Sequence, residues 1–380
     1  MTLTKSCVLA SVLLLCSACS TQDNVKPESA TAALVRAYRT HDIVMFAEAH
    51  ANRQEYEWLQ SLVSTPAFAD QVDDIVVEFG NSLYQKSVDG YVSGQDVPLE
   101  QVQKAWRNTV GSFGPPSPVY AWVYRAVRET NLKRRGKHQM RVVCADPYID
   151  WDNVKDREDI GPYLAHRDEW YAQVVKDEVI AKQHHALLIM GEGHFLRRNG
   201  PGMIEQQLRQ AGARSYLVIF GTNTTEDGID HRFDSWPLPA IVSTAEGWVA
   251  DLAAPAVTSG ALSAPIRLAT GTAVPASGAP ATPPLKLKDA ADALLYVGPR
   301  DALTKISMPR AELDGTPYGK ELERRFTIEL GHSIDFIQEK EETPLFVSPQ
   351  VGMTPASGPP QLPPPPKSIH DPLPPRPPSQ

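Results

Sequence analysis

Five ionisable residues stand where an apolar run gives way to a loop. Glu48 and His50 follow Ile43-Val44-Met45-Phe46, Glu78 closes Ile75-Val76-Val77, Asp146 follows Val142-Val143-Cys144-Ala145, and His194 lies just past Ala186-Leu187-Leu188-Ile189-Met190. One strand-end Glu or His is usually a cap or a surface residue; five on one edge make a chemical set. Two imidazoles with carboxylates could hold a divalent ion such as Zn²⁺ or Mn²⁺, with His50, Glu48 and His194 as ligands. Equally, His50 could act as general base on water. Glu48, Glu78 and Asp146 would then fix tautomer and orientation, and an arginine such as Arg167 would stabilise the developing negative charge. Spacing leaves both schemes open.

The elements that must position these residues are short runs buried on both faces, separated by helical patterns. That predicts an α/β fold with a mainly parallel sheet flanked by helices, whose strand carboxyl ends form the crevice for ligands. A βαβ crossover is expected to set the strand at Asp74–Gly80 directly beside the one at Asp42–Phe46, which brings Glu78 to Glu48 and His50. Between Asn81 and Gly136 three helices are predicted, at Tyr84–Val92, Pro98–Thr109 and Val119–Arg135. They form a helical insertion over the strand carboxyl ends, with Trp106, Arg107, Trp122, Tyr124 and Arg125 as wall material and Arg125 as a secondary candidate. A third strand ends at Asp146, and one long helix is predicted over Ile160–Gln183. Gly191 and Gly193 permit a tight turn and close backbone approach, which present His194 at the strand's end without obstruction. Later strands are expected at Ser215–Phe220 and Ala293–Val297, and a helix at Tyr318–Leu330. His184, His185 and the run Glu321–Arg325 read as solvated. No Gly-x-Ser-x-Gly elbow follows any strand, which disfavours a serine nucleophile.

Phe46-Ala-Glu48-Ala-His50 resembles a Gly-Glu-x-His motif, Val77-Glu78-Phe-Gly the acidic strand that follows it, His166-Arg167-Asp168 an Arg-Asp pair on a helix, and Gly191-Glu-Gly-His194 a Gly-x-x-His motif. These are similar to motifs of the superfamily of erythromycin esterase, the ChaN haem-binding lipoprotein and the Tiki and TraB proteases, over about residues 34 to 335. The resemblance implies a strand-end pocket. For the esterase branch it implies a metal-independent hydrolase using His and Glu, for the Tiki branch a metal-dependent peptidase, and for the ChaN branch a haem carrier. His50 takes the place of base or ligand, Glu48 and Glu78 of its partners, and His194 of the second imidazole. Ala47 stands where the motif has Gly. ChaN's haem-ligating Tyr has no counterpart among these motifs.

Composition bounds the partners. The chain has 380 residues, 42% hydrophobic and 22% charged, with 37 Lys and Arg against 45 Asp and Glu. A net charge of −8 argues against nucleic acid and leaves a small-molecule or peptide substrate. Lys5 followed by the apolar run Cys7–Cys16 has the order of a signal peptide, and Leu15-Cys16-Ser17-Ala18-Cys19 resembles the bacterial lipobox. That resemblance implies an exported protein, lipidated at Cys19 and anchored on the periplasmic side of a bacterial membrane, the outer one. Cys144 is then the remaining thiol, read as buried and inert. The expected organisation is a signal peptide at 1–18, a tether at 19–33 and an α/β domain at 34–335. A flexible Ala/Pro-rich insertion interrupts that domain at 253–288, and a disordered tail follows at 343–380, where 14 of the 34 prolines fall.

Overall fold

Each apolar run becomes a strand whose alternate side chains leave on opposite faces of a sheet. In a computed structural model the described residues are 25–110, 117–195, 197, 202–221, 230–252, 285–333, 337 and 340–345. Residues 1–24 with Cys19, residues 253–284 and the chain from 346 onward lie outside them. Eight strands form one sheet: β1 (Glu28–Ser29), β2 (Ile43–Glu48), β3 (Asp74–Asn81), β4 (Arg141–Asp146), β5 (Ala186–Gly191), β6 (Ser215–Phe220), β7 (Ala240–Ser243) and β8 (Ala293–Tyr296). Their order is β1-β7-β8-β6-β2-β5-β3-β4. The stretch from β8 to β4 is parallel throughout, and β7 runs against both its neighbours. The architecture is therefore α/β with a mostly parallel sheet.

Helices cover both faces, because a parallel sheet has no side it can leave to water. They are α1 (Ala30–Ala37), α2 (Arg53–Ser64), α3 (Pro66–Ala69), α4 (Gln85–Val92), α5 (Leu99–Val102), α6 (Lys104–Arg107), α7 (Val119–Lys133), α8 (Arg157–Ala165), α9 (Arg167–Glu178), α10 (Met203–Gln210), α11 (Leu287–Ala290), α12 (Arg310–Leu313) and α13 (Pro317–Leu330). Val44, Phe46, Ile75, Val77, Leu187 and Ile189 pack with α1, α2, α4 and α7 in one core. The alternate residues Ile43, Met45, Ala47, Val76, Leu188 and Met190 pack with α9 and α10 in the other. No described helix is long and apolar enough to cross a membrane.

Several elements differ from the sequence reading. β5 lies between β2 and β3, so those two strands are not neighbours. The helix expected over Ile160–Gln183 breaks at His166 into α8 and α9, and Pro162 inside α8 removes an amide hydrogen bond to the preceding turn. The insertion packs α7 against α2 and α4 on one face; among its described residues Asn108, Val110, Tyr120 and Tyr124 reach the strand ends. Arg125 is solvent-exposed, 3.8 Å from Glu129. His184 is not simply solvated: its Nδ1 lies 2.7 Å from the fully buried Asp74, and His185 stacks near Tyr38. Arg325 is buried over Trp151 and donates to Arg107 O and Asn108 Oδ1, so within the run Glu321–Arg325 this residue and Leu322 face the protein, while Glu323 is exposed.

A second, two-stranded sheet pairs β9 (Thr304–Ile306) with β10 (Glu342–Pro344). It docks at the start of α2. Ile306 N–H donates to Ala51 O at 3.0 Å, and Arg53 donates to both oxygens of Glu342 at 3.0 and 2.8 Å. Thr343 to Leu345, assigned to the tail by composition, are thus paired strand and flank. Ending the chain after Leu345 should change the thermal midpoint by no more than about 2 °C, since the lost residues have little apolar material to bury. Ending it after Glu341 also removes β10, whose backbone bonds are each worth about 0.5–1.5 kcal/mol net, and should lower the midpoint by several degrees. Calorimetry showing equal midpoints would mean that β10 adds nothing to stability.

Candidate functional site

β2 ends at Glu48, whose side chain is buried, and the chain turns through Ala49, His50 and Ala51 before Asn52 caps α2. Ala51 sits at φ 63°, a left-handed conformation that an alanine adopts only when its surroundings hold it there. The carboxylate of Glu48 accepts a hydrogen bond from His50 Nδ1, which fixes that nitrogen as the protonated one. The His50 side chain remains 54% exposed, leaving Nε2 free of this contact.

Glu78 lies two strands away from His50, roughly 10 Å at ordinary strand spacing, yet His50 Nδ1 is 3.5 Å from Glu78 Oε1. The intervening strand makes this possible. Glu48 is in register with Gly191 of β5. A Cβ on Gly191 would lie 2.6 Å from His50 Cε1, 2.9 Å from its Nε2 and 3.3 Å from Glu78 Oε1. Gly191 has an ordinary extended backbone, φ −56° and ψ 144°. Its contribution is therefore space, the close approach expected of a glycine from the sequence, and not a tight turn.

His194, on the short turn after β5, is engaged at both nitrogens: Nδ1 lies 2.5 Å from Asp168 and Nε2 3.2 Å from Glu78 Oε2. Tyr171 meets the ring edge-on at 5.1 Å. Glu78 thus sits between two imidazoles. Asp146, at the end of β4, accepts from Arg167 Nε and Nη2 at 3.0 and 2.8 Å, from Tyr171 OH at 3.0 Å and from Val110 N–H. The break at His166 places Arg167, Asp168 and Tyr171 on the first turns of α9, so one helix serves both Asp146 and His194.

These contacts set the charges. Burial alone would favour neutral His50, but the charge and hydrogen bond of Glu48, then Glu78, outweigh it and raise its pKa to about 9. Burial likewise opposes the charge on His194, and the bonds to Asp168 and Glu78 again lift it to about 9. Burial would raise Glu78, but His194, His50 and Arg167 together hold it well below the usual carboxylate range. Asp146 moves the other way: burial pushes it up to about 6, against the pull of Arg167. Behind Glu48, burial and the charge of Glu48 raise the buried carboxyl of Glu55. Tyr56 and Tyr120 are raised for the same two reasons, and Tyr120 stacks on Phe79 at 4.6 Å.

The structure brings Glu48, His50, Glu78 and His194 together and sets Asp146 and Arg167 beside them as an ion pair. Asp168, Tyr171, Glu55, Tyr120 and the space at Gly191 are additional parts. Asp168 was visible in the sequence as the residue after Arg167; Glu55 and Tyr120 carried no signal. For a divalent ion, Glu48, His50 and Glu78 each offer one donor atom, all within 4.8 Å of one another. Two carboxylates and an imidazole suit Zn²⁺ or Mn²⁺, with Glu78 rather than the doubly engaged His194 as the third ligand. Ala47, where the motif has Gly, packs its methyl in the core behind the sheet.

No family model matches the chain, and no curated protein matches it. Among solved structures, a Bacillus cereus protein is 11% identical over 72% of this chain and 94% of its own, with a TM-score of 0.42. ChaN of Campylobacter jejuni, solved with cofacially bound haem, is 8% identical over 50% of this chain and 85% of its own, TM-score 0.30. The type III effector HopBA1 is 14% identical over 52% and 87%, TM-score 0.33. Likeness at this level bears on no step of the chemistry.

Two outcomes follow from the geometry. Gly191→Ala should displace the His50 ring, at a cost of about 1–3 kcal/mol for forcing a methyl into a filled space; an unchanged denaturation midpoint and unchanged His50 resonances would contradict the packing described. The raised histidines set a pH dependence as well. A group whose pKa rises on folding stabilises the native state fully below its ordinary value, here 6.5, and loses that contribution as pH rises through the folded value near 9. The thermal midpoint should therefore fall between pH 7 and 9.5, and less so in His194→Gln; a midpoint rising over that range would count against both assignments.

Proposed function

We propose that the chain hydrolyses an ester, amide or peptide bond, with water as nucleophile and His50 as the group that moves its proton. The observation that carries this reading is the pairing of His50 Nδ1 with buried Glu48 while half the ring faces solvent at a strand carboxyl end. That arrangement fixes the tautomer and leaves Nε2 as the proton acceptor. Neutral His50 takes a proton from water at Nε2 as the water oxygen bonds to the carbonyl carbon and the carbonyl π pair moves onto its oxygen; the imidazolium, stabilised by Glu48 and Glu78, then gives that proton to the leaving alcohol or amine as the oxyanion collapses and the ester or amide bond breaks. His194, engaged at both nitrogens, acts through Glu78 by keeping it ionised. Arg167 adds a fixed positive charge to the cluster. A divalent ion held by Glu48, His50 and Glu78 would supply a Lewis acid instead, with His50 as a ligand rather than the base. The leader makes this the chemistry of an exported protein tethered through Cys19.

The test is turnover of ester, lactone and peptide substrates by wild type and His50→Gln. The substitution should lower the rate by on the order of 10² to 10⁴ with substrate affinity largely kept. Because His50 must be neutral to act, the wild-type rate should rise with pH towards about 9. Metal analysis of untagged protein reads the ion, which His50→Gln should also release if it is bound. No turnover by wild type, together with a Soret band on hemin titration that His50→Gln abolishes, would replace hydrolysis with haem carriage.

A further inference from the structure

We infer that Glu55 is a positioning residue for this site, gripping the peptide unit between Glu48 and His50 and so setting the angle at which the imidazole meets its carboxylate. The role rests on the reading of His50 given above. Glu55 lies in the first turn of α2 and is fully buried. An acidic residue three places after an N-cap ordinarily reaches back to the amide of the cap itself. Glu55 reaches further: its Oε2 accepts the N–H of Ala49 at 2.9 Å. Asn52 N–H takes the carbonyl of the same residue at 3.0 Å, so both polar groups of Ala49 are held from the start of α2.

The need for such a grip is visible two residues on. Ala51 is in the left-handed region, and its carbonyl is in turn held by Ile306 N–H. A turn containing an alanine in that conformation relaxes unless external bonds fix it. Among the described residues no cation lies within ion-pair distance of Glu55, and its Oε1 is buried with no hydrogen-bond partner. A buried carboxyl with one hydrogen bond is an expensive way to fill a core position. What it provides that an apolar side chain would not is an acceptor aimed at Ala49.

The test separates the acceptor from the bulk and needs no turnover, so it stands or falls independently of hydrolysis. Glu55→Gln keeps shape and a carbonyl acceptor, Glu55→Met keeps bulk alone, and Glu55→Asp keeps the acid but shortens its reach. The readouts are hydrogen exchange of the Ala49 amide and the imidazole ¹⁵N signals of His50. Gln should retain slow exchange and a protonated Nδ1. Met and Asp should speed Ala49 exchange by about tenfold or more, as expected for a locally opened turn, and should mix the His50 tautomers while exchange in β3 and β6 stays as in wild type. Once a substrate is known, kcat should fall with KM little changed, and Gln should restore it. Wild-type exchange and tautomer in either Met or Asp, or damage by Gln equal to theirs, would overturn the role.

Discussion

The site depends on a side chain that is missing. Strands β2 and β3 are held apart by β5, and any residue larger than glycine at position 191 would put a carbon where the His50 ring and the Glu78 carboxylate now meet. The gap is cut into an otherwise filled sheet, since Leu187 and Ile189, on the same face of β5, are fully buried. A rigid apolar floor with one notch brings Glu48, His50, Glu78 and His194, from three parallel strands and the loops after them, within reach of one another, and β3 shifts its register against β4 between Val77 and Asn81.

Within the notch, electrostatics decides over burial. Two opposite charges about 4 Å apart at an effective dielectric of 20 attract by about 4 kcal/mol. His50 has two carboxylates at or inside that distance and pays only a partial desolvation penalty, because half its side chain stays in water. His194 is more enclosed and compensates with one carboxylate at each nitrogen. Asp146 shows the opposite balance: fully buried, it rises to about 6 even with a guanidinium against it. The charged state of the cluster is thus a joint property, and Glu78 is the member through which the two histidines sense each other.

Much of this frame was legible in the sequence because a parallel strand buried on both faces must be continuously apolar, so its end is marked wherever a charged residue appears. Glu48, Glu78, Asp146 and His194 were found that way. Strand order was not legible: whether β3 or β5 lies next to β2 is settled by how the crossover helices pack, and local pattern carries no trace of that. The short strands β1 and β7 at one side of the sheet were missed for want of length. Charge-rich stretches misled for a related reason, since Arg325 and His184 look solvated until the partners Trp151 and Asp74, distant in sequence, close over them. Glu55 is the same case in the site itself, an acid in the first turn of a charged helix that folding buries completely.

The bridging of two imidazoles by one carboxylate is tested most directly by following both rings by NMR through a pH titration, in wild type and in Glu78→Gln. The account predicts that His50 and His194 each titrate well above 6.5, near 9, and that losing the single charge on Glu78 lowers both together. Histidines that titrate near 6.5 in wild type, or a substitution that moves one ring and leaves the other untouched, would contradict it.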